Sequence, residues 1–418
     1  GSARARPVRE RTATVSEIIY LDHAATTPVD PAVRDAMLPY LGELFANPSS
    51  IHAAGRTVRQ AVSRARSQVA ELIAAPPESV VFTGGGTESD VTALLGAAFA
   101  RERVGERGHI VTSAFEHPAV LECCRFLETR GFRVTYVRPE ANVVLSADAV
   151  AEAMQPDTFL VSIMMVNNET GTLQPIRSIA AAAHERGALM HTDAVQALGK
   201  TEVDVEDLGV DLLSGSAHKL YGPKGVGVLY VRPGVDLVPI APGGGQERKR
   251  RGGTENVPGI IGFGEAARLA RVHFHERQAH AQRLRQELMR LCTEVRSVRL
   301  NGDAEQAVPH IANFCLVYVD ALLLVSNLSR RGIFISVGSA CASGKLEPSY
   351  VLKSAGMSDF ASFTSARFST GKDNTVEQVS RVVDEVGELA EFLRQIRTPA
   401  EIGQCDENCP CLWEEGVA

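Results

Sequence analysis

The chain has 418 residues, 44% of them hydrophobic and 22% charged, values that exclude a disordered or fibrous protein and allow one large domain with a smaller companion. A formal net charge of −7 gives no global attraction to nucleic acid or an anionic membrane, so no direct nucleic-acid binding is expected. The longest apolar runs, such as Ala321 to Val325, fall far short of the ~20 residues that cross a bilayer.

Residues 1–17 open on Gly1-Ser2, which reads as a tag remnant, and continue Arg-rich without apolar periodicity, as a disordered basic tail rather than a transit peptide. From Ile18 onward, short β-branched runs alternate with helix-period segments, the pattern of an α/β protein with a mostly parallel sheet. Val80-Val81-Phe82 predicts a strand, Thr83 to Gly86 a turn, and Thr87 the opening of a helix. Further strands are predicted at His109–Thr112, Val134–Val137, Phe159–Val166, Ala188–His191, Val210–Leu213 and Val226–Val231. After Pro258 the pattern changes. A charged helix-period stretch, Ala266 to Leu291, precedes short strands at Ile311–Val317 and Ile333–Ile335 and a helix with apolar positions from Val376 to Leu393. The expected division is a large domain over 18–258, a smaller α+β domain over 259–397 against which residues near 18–30 pack, and a Cys-containing tail over 398–418.

The segment Ser214-Gly215-Ser216-Ala217-His218-Lys219-Leu220-Tyr221-Gly222-Pro223 sets one lysine between small hydroxyl residues and a Gly-Pro turn, just after an apolar run. A lysine so placed can lose its proton and form a Schiff base with an aldehyde cofactor, although a lone lysine is more often a surface-loop residue. Two upstream features favour the first reading. Asp193 follows an apolar run and can pair with a pyridinium nitrogen, keeping the ring an electron sink. Gly84-Gly85-Gly86-Thr87 opens a helix whose backbone N–H groups can cradle a phosphate.

In order and combination these signals resemble the pyridoxal-phosphate enzymes of aminotransferase fold type I, and more narrowly the class V cysteine desulfurases. The likeness runs from about Tyr20 to Arg397. It includes Tyr20-Leu21-Asp22-His23-Ala24-Ala25-Thr26-Thr27, Asn47-Pro48-Ser49-Ser50, Glu116-His117, Asn167 to Gly171, Gly243 to Arg248, Gly253-Thr254 and Arg367-Phe368-Ser369. The resemblance implies pyridoxal 5'-phosphate as cofactor, with Lys219 as the Schiff-base lysine, Asp193 on the pyridine nitrogen and Gln196 on the ring hydroxyl. It implies His117 stacked on the ring as a proton relay. Gly86, Thr87, Ser216 and His218 would hold the phosphate, with Thr254 supplied by the other subunit of a homodimer. Asn168 and Arg367 would hold the carboxylate of L-cysteine, and Arg suits that task through its planar fork.

Eight cysteines, three in the last fourteen residues, are too few and too uneven for a disulfide scaffold and indicate a reducing compartment, the cytoplasm or a mitochondrial matrix. Cys123, Cys124, Cys292 and Cys315 sit in apolar contexts as inert core residues. Cys341 lies among small residues, Ser336 to Gly344, as the nucleophile that takes the substrate's sulfur as a persulfide. The segment through Leu346 to Leu352 resembles the long-loop desulfurases, which pass sulfur to acceptors such as an iron–sulfur scaffold. Gly84 and Gly86 depart from the Ser and Ala expected in the phosphate turn. Cys405, Cys409 and Cys411 precede Leu412-Trp413-Glu414-Glu415, similar to the family's partner-docking patch, and read more readily as a reduced tail than as a metal site. Rival readings are a selenocysteine lyase or aminotransferase of the same fold, and a catalytically silent sulfur-transfer scaffold.

Overall fold

The computed structural model describes residues 18–337 and 347–395. A seven-stranded sheet orders its strands Val80–Thr83, Gly227–Val231, Leu212–Ser216, Leu189–Asp193, Thr158–Ser162, His109–Ser113, Arg133–Val137. Only Gly227–Val231 runs against its neighbours. The other neighbouring pairs are parallel. The central strands are buried along their whole length, as a sheet covered by helices on both faces requires. One face packs on a core that includes Val111, Phe115, Val161, Met190 and Leu213; the other packs on Ile110, Leu160, Leu212 and the helices Gly86–Arg103 and Pro118–Thr129.

A second core joins an antiparallel sheet, in the order Ser336–Val337, Ser365–Ser369, Ile311–Leu316, Val298–Asn301, to the final helix Val376–Gln395. That helix buries Val379, Val382, Val383, Val386, Leu389, Ala390 and Leu393, one stripe at the helical period, each branched side chain contributing at most about 1.5–3 kcal/mol. The N-terminal strand Ile19–Tyr20 pairs in parallel with Ile333–Phe334. Ile19 and Leu21 accordingly belong to the second core and Ala24 to the first.

Three expectations shift. The helical stretch after Pro258 is broken, into Val257–Val272, Phe274–Leu288 and Arg290–Glu294. Val257, Ile260, Phe263 and Ala267 of the first piece pack in the large-domain core, and Leu284 and Leu288 of the second in the small-domain core. The change of core therefore falls at His273. The strand expected over Phe159–Val166 stops at Ser162, because the Met164 N–H is taken by the Glu116 carboxylate at 2.9 Å and the chain turns away through Asn167–Gly171, closed by Gly171 N–H to the Asn167 carbonyl. The strand expected over Ala188–His191 runs over Leu189–Asp193, so Asp193 is its last residue.

Among the described residues no helix is long and apolar enough to cross a membrane.

Candidate active site

The parallel strands and Val80–Thr83 end at one edge of the large sheet, where the backbone leaves its ladder and side chains converge. There they enclose a cavity of about 390 Å³. Gly86, Thr87, His117, Asn168, Asp193, Gln196, Ser216, His218, Lys219 and Arg367 all line it. Of the residues singled out in the sequence, Thr254 is exposed on this chain and Cys341, with Cys405, Cys409 and Cys411, lies outside the described residues.

Lys219 ends a short 3-10 turn after the strand Leu212–Ser216. Its Nζ donates to the carbonyl oxygens of Ala24 and, at 2.7 Å, of Ala25. Burial, reinforced by the positive charge of Arg367 and opposed by Asp193 and Asp22, brings its pKa down to about 8. Arg367 spreads its fork between the Asn168 carbonyl, 2.9 Å, and the Asp22 carboxylate, 2.7 Å. Asp22 bridges to Ser369 of the same small-domain strand that carries Arg367, so it is the Arg367 bond to the Asn168 carbonyl that joins the small-domain sheet to the large domain across the cavity.

His117 caps the helix Pro118–Thr129, its Nδ1 accepting the Ala119 N–H at 3.2 Å. That bond assigns the proton of the neutral ring to Nε2. Burial lowers its pKa, although Asp193 pulls the other way. Asp193 accepts the Val195 N–H at 2.8 Å, and Gln196 donates to the Ala24 carbonyl at 2.8 Å. His218 pairs through Nδ1 with Thr26 at 3.1 Å and is held neutral, its pKa pushed down to about 4 chiefly by burial and then by Lys219.

Beneath Asp193 lie two more buried carboxyls, Asp90 and Glu116. Burial raises the pKa of all three; Asp193 pushes Asp90 further up, and Glu116 reaches about 8. Only Asp193 has His117 and Lys219 close enough to lower it again, so it is the one poised to carry a negative charge. Asp90 and Asp22 are the functional neighbours that the sequence reading missed. Asp90 had a visible signal, as an acid one turn after Thr87 on an otherwise apolar helix face.

The phosphate turn opens onto an adjoining cavity lined by Gly84, Gly85, Gly86 and Thr87. At Gly86 an added Cβ would stand 2.7 Å from a Val195 methyl, and at Gly227 one would stand 2.5 Å from the Gly85 carbonyl carbon. The turn is thus pressed against Val195 and the neighbouring strand, and a side chain at position 86 would require Val195 to shift. On the far side, Glu247 holds the Gly243–Thr254 segment. Although its φ is +45°, its carboxylate takes both Arg66 guanidinium nitrogens at 2.7 Å and the Phe82 N–H at 2.9 Å, and those bonds offset the backbone strain.

The donor set fits pyridoxal phosphate. Ser216 Oγ, Gln196 Oε1 and Asn168 Oδ1 are buried there without a hydrogen-bond partner among the described residues, beside a helix start that favours an anion and a lysine whose amine is partly neutral near physiological pH.

A lysine-centred cavity on this sheet edge, with a second α+β core closing it, defines an enzyme of the aminotransferase fold. The chain belongs to the aminotransferase class-V family, whose profile matches residues 19–382, and within it to the cysteine desulfurases. It is 44% identical over 394 residues to the cysteine desulfurase IscS of Methanosarcina thermophila, covering 94% of this chain and 97% of that one. Among solved structures, a NifS-like protein superposes with a TM-score of 0.84 at 34% identity, covering 90% of this chain and all of the other. SspA in complex with cysteine does so at 0.76 and 40% identity, covering 84% and 98%.

Proposed function

We propose that this chain is a pyridoxal-phosphate cysteine desulfurase of the long-loop group that converts L-cysteine to L-alanine and leaves the sulfur as a persulfide on Cys341. The observation that carries the reading is the convergence of Lys219, Asp193, His117 and Arg367 in one cavity, with buried Ser216, Gln196 and Asn168 oxygens unspent on protein partners. Gly86, Thr87, Ser216 and His218 hold the phosphate, and Lys219, Asp193 and Gln196 hold the rest of the cofactor. When bound, pyridoxal phosphate supplies an aldehyde for the substrate amine and a ring that accepts an electron pair.

Arg367 and Asn168 orient the substrate carboxylate. The Lys219 amine removes the α-proton, Asp193 would pair through its negative charge with the ring nitrogen of the bound cofactor, and His117 moves protons within the same cavity. The Cys341 thiolate attacks the substrate sulfur: the S–S bond forms as the Cβ–S bond breaks, the electron pair stays with carbon, and protons from His117 and Lys219 complete L-alanine. The four described cysteines are poor candidates for this attack. Burial pushes Cys123 up to about 12 and Cys292 to about 11, and raises Cys124 and Cys315 as well, which starves them of thiolate.

A homodimer is part of the reading. Leu41, Phe45 and Ile51 are 65%, 81% and 88% exposed within one short stretch, an apolar patch suited to a second copy, and Thr254 is exposed on this chain. The persulfide then passes to an acceptor protein such as an iron–sulfur scaffold.

Incubating the holoenzyme with ³⁵S-labelled L-cysteine, alkylating all thiols and locating the label by mass spectrometry tests the proposal. The label should appear on Cys341 with alanine formed in equal amount. Alanine formation that requires an added keto acid, or label confined to the tail cysteines, would overturn it.

A further inference from the structure

On the other side of Leu220 and Tyr221 from the active site lies a second, smaller cavity of about 50 Å³. Its charged lining is of one sign. Lys200, Arg277 and Lys372 face it beside the rings of His280 and His310, the latter with its pKa pushed well down by burial, and no Asp or Glu is among its described lining residues. Some of that charge is already answered: Lys372 pairs with Asp30 and Asp373 at 3.3 and 3.0 Å, His280 Nε2 with the Asn374 carbonyl at 2.8 Å, and the Arg277 guanidinium lies over the Tyr221 ring at 5.3 Å.

Three groups are not answered. Lys200 Nζ, His310 Nε2 and Thr370 Oγ1 are covered by protein and have no hydrogen-bond partner among the described residues. His310 and Thr370 are 6% and 3% exposed, while part of the Lys200 stem reaches the surface. Burying even one such group without a partner is costly, more so when it is charged, so three around one cavity point to a ligand that meets them together. The space exceeds the roughly 10–15 Å³ that a single water needs. The excess positive charge selects an anion over water alone, and the apolar walls of Leu220, Ala281 and Pro309 favour a weakly hydrated, singly charged one.

We propose that this cavity is a binding site for a small monovalent inorganic anion of the halide class, held by Lys200 Nζ, His310 Nε2 and Thr370 Oγ1. Burial, with Lys219 and Arg367 nearby, pushes Lys200 down to about 7, the behaviour of an ammonium without a counter-ion, and a bound anion supplies that counter-ion.

The probe is bromide on the holoenzyme. Crystals soaked in sodium bromide should show an anomalous peak within hydrogen-bond reach of Lys200 Nζ and His310 Nε2. In solution at matched ionic strength, bromide should raise the unfolding midpoint by about 2 °C over gluconate, which is too large to enter. Both signals should vanish in Lys200→Met and persist in Lys249→Met, a change at an exposed lysine. A parent crystal with no peak in the cavity overturns the proposal by itself, whether or not Lys200→Met folds. So does a Thr370→Val or Lys200→Met holoenzyme that keeps both the peak and the bromide shift.

Discussion

Lys219 and Lys200 stand on the two sides of the Leu220–Tyr221 turn, each with its amine withdrawn from water, yet of the two only Lys219 donates to oxygen atoms of the described residues. Two carbonyls of the N-terminal segment hold Lys219, and Asp193 and Asp22 lie near enough to support its proton. Lys200 has neither. Desolvation drives both amines toward neutrality, to about 8 and about 7. A lowered pKa alone therefore does not mark a catalytic lysine. What separates the two is the set of partners that aims one amine at a cavity large enough for a cofactor and leaves the other facing a space fit for an ion.

The sharpest way to break that contrast is to remove each amine in turn. Lys219→Ala should lower alanine formation from L-cysteine by at least about 10³-fold, because it removes both the cofactor-bonding amine and the proton-transfer base. Lys200→Met should stay within about threefold of the parent, since no reacting atom is lost. Steady-state alanine assays decide it, and comparable losses in both would make the two cavities one functional unit.

A smaller effect belongs to Arg367, which faces Lys219 across the cavity. Arg367→Lys keeps the charge but loses the fork that now spans Asn168 and Asp22. The kcat/KM for L-cysteine should fall roughly 10- to 100-fold, mostly through KM, as expected for a lost charge-assisted bidentate contact. An unchanged KM would move the substrate carboxylate elsewhere.

Much of the Lys219 cavity was legible in the sequence because its parts are local. Most of its side chains, among them Thr87, His117, Asp193, Ser216 and Lys219, sit at or within a few residues of the end of a large-sheet strand, and the small or turn-forming residues around Gly84–Thr87, Asp193 and Lys219 mark those ends; Arg367, in the middle of Ser365–Ser369, reaches the cavity from the other sheet. The Lys200 cavity was not legible. It is assembled from the turn after Leu189–Asp193, from the helix Phe274–Leu288, and from residues flanking Ile311–Leu316 and preceding Val376–Gln395, segments with no shared sequence signal. The same reason hid the Asp22–Arg367 pair, which joins residues 345 positions apart. The change of core was not legible either: helical periodicity runs from Val257 to Val272 against the large-domain core, and only the helix after His273 packs in the second core.

The finest distinction between the two lysines is in their titration. Covalent capture of pyridoxal phosphate by the cofactor-free protein needs a neutral amine. With Lys219 at about 8, roughly one molecule in ten carries it at pH 7, against about one in three thousand for an ordinary lysine. The capture rate, followed by stopped-flow absorbance, should rise about tenfold per pH unit below 8 and level off above it. The stability consequence has a definite sign: between pH 8 and the ordinary lysine value, the unfolded chain binds the proton that the folded chain has lost, so the Lys219 contribution makes stability rise with pH across that window. Lys219→Met should flatten that slope. After burial, Arg367 is the largest influence depressing Lys219, so Arg367→Met should move the capture midpoint upward, whereas Lys200→Met should leave it in place. Lys200, at about 7, has given up most of its proton before Lys219 titrates, so a midpoint that moves in the Lys200 variant would show that Lys200 still carries its charge in that range.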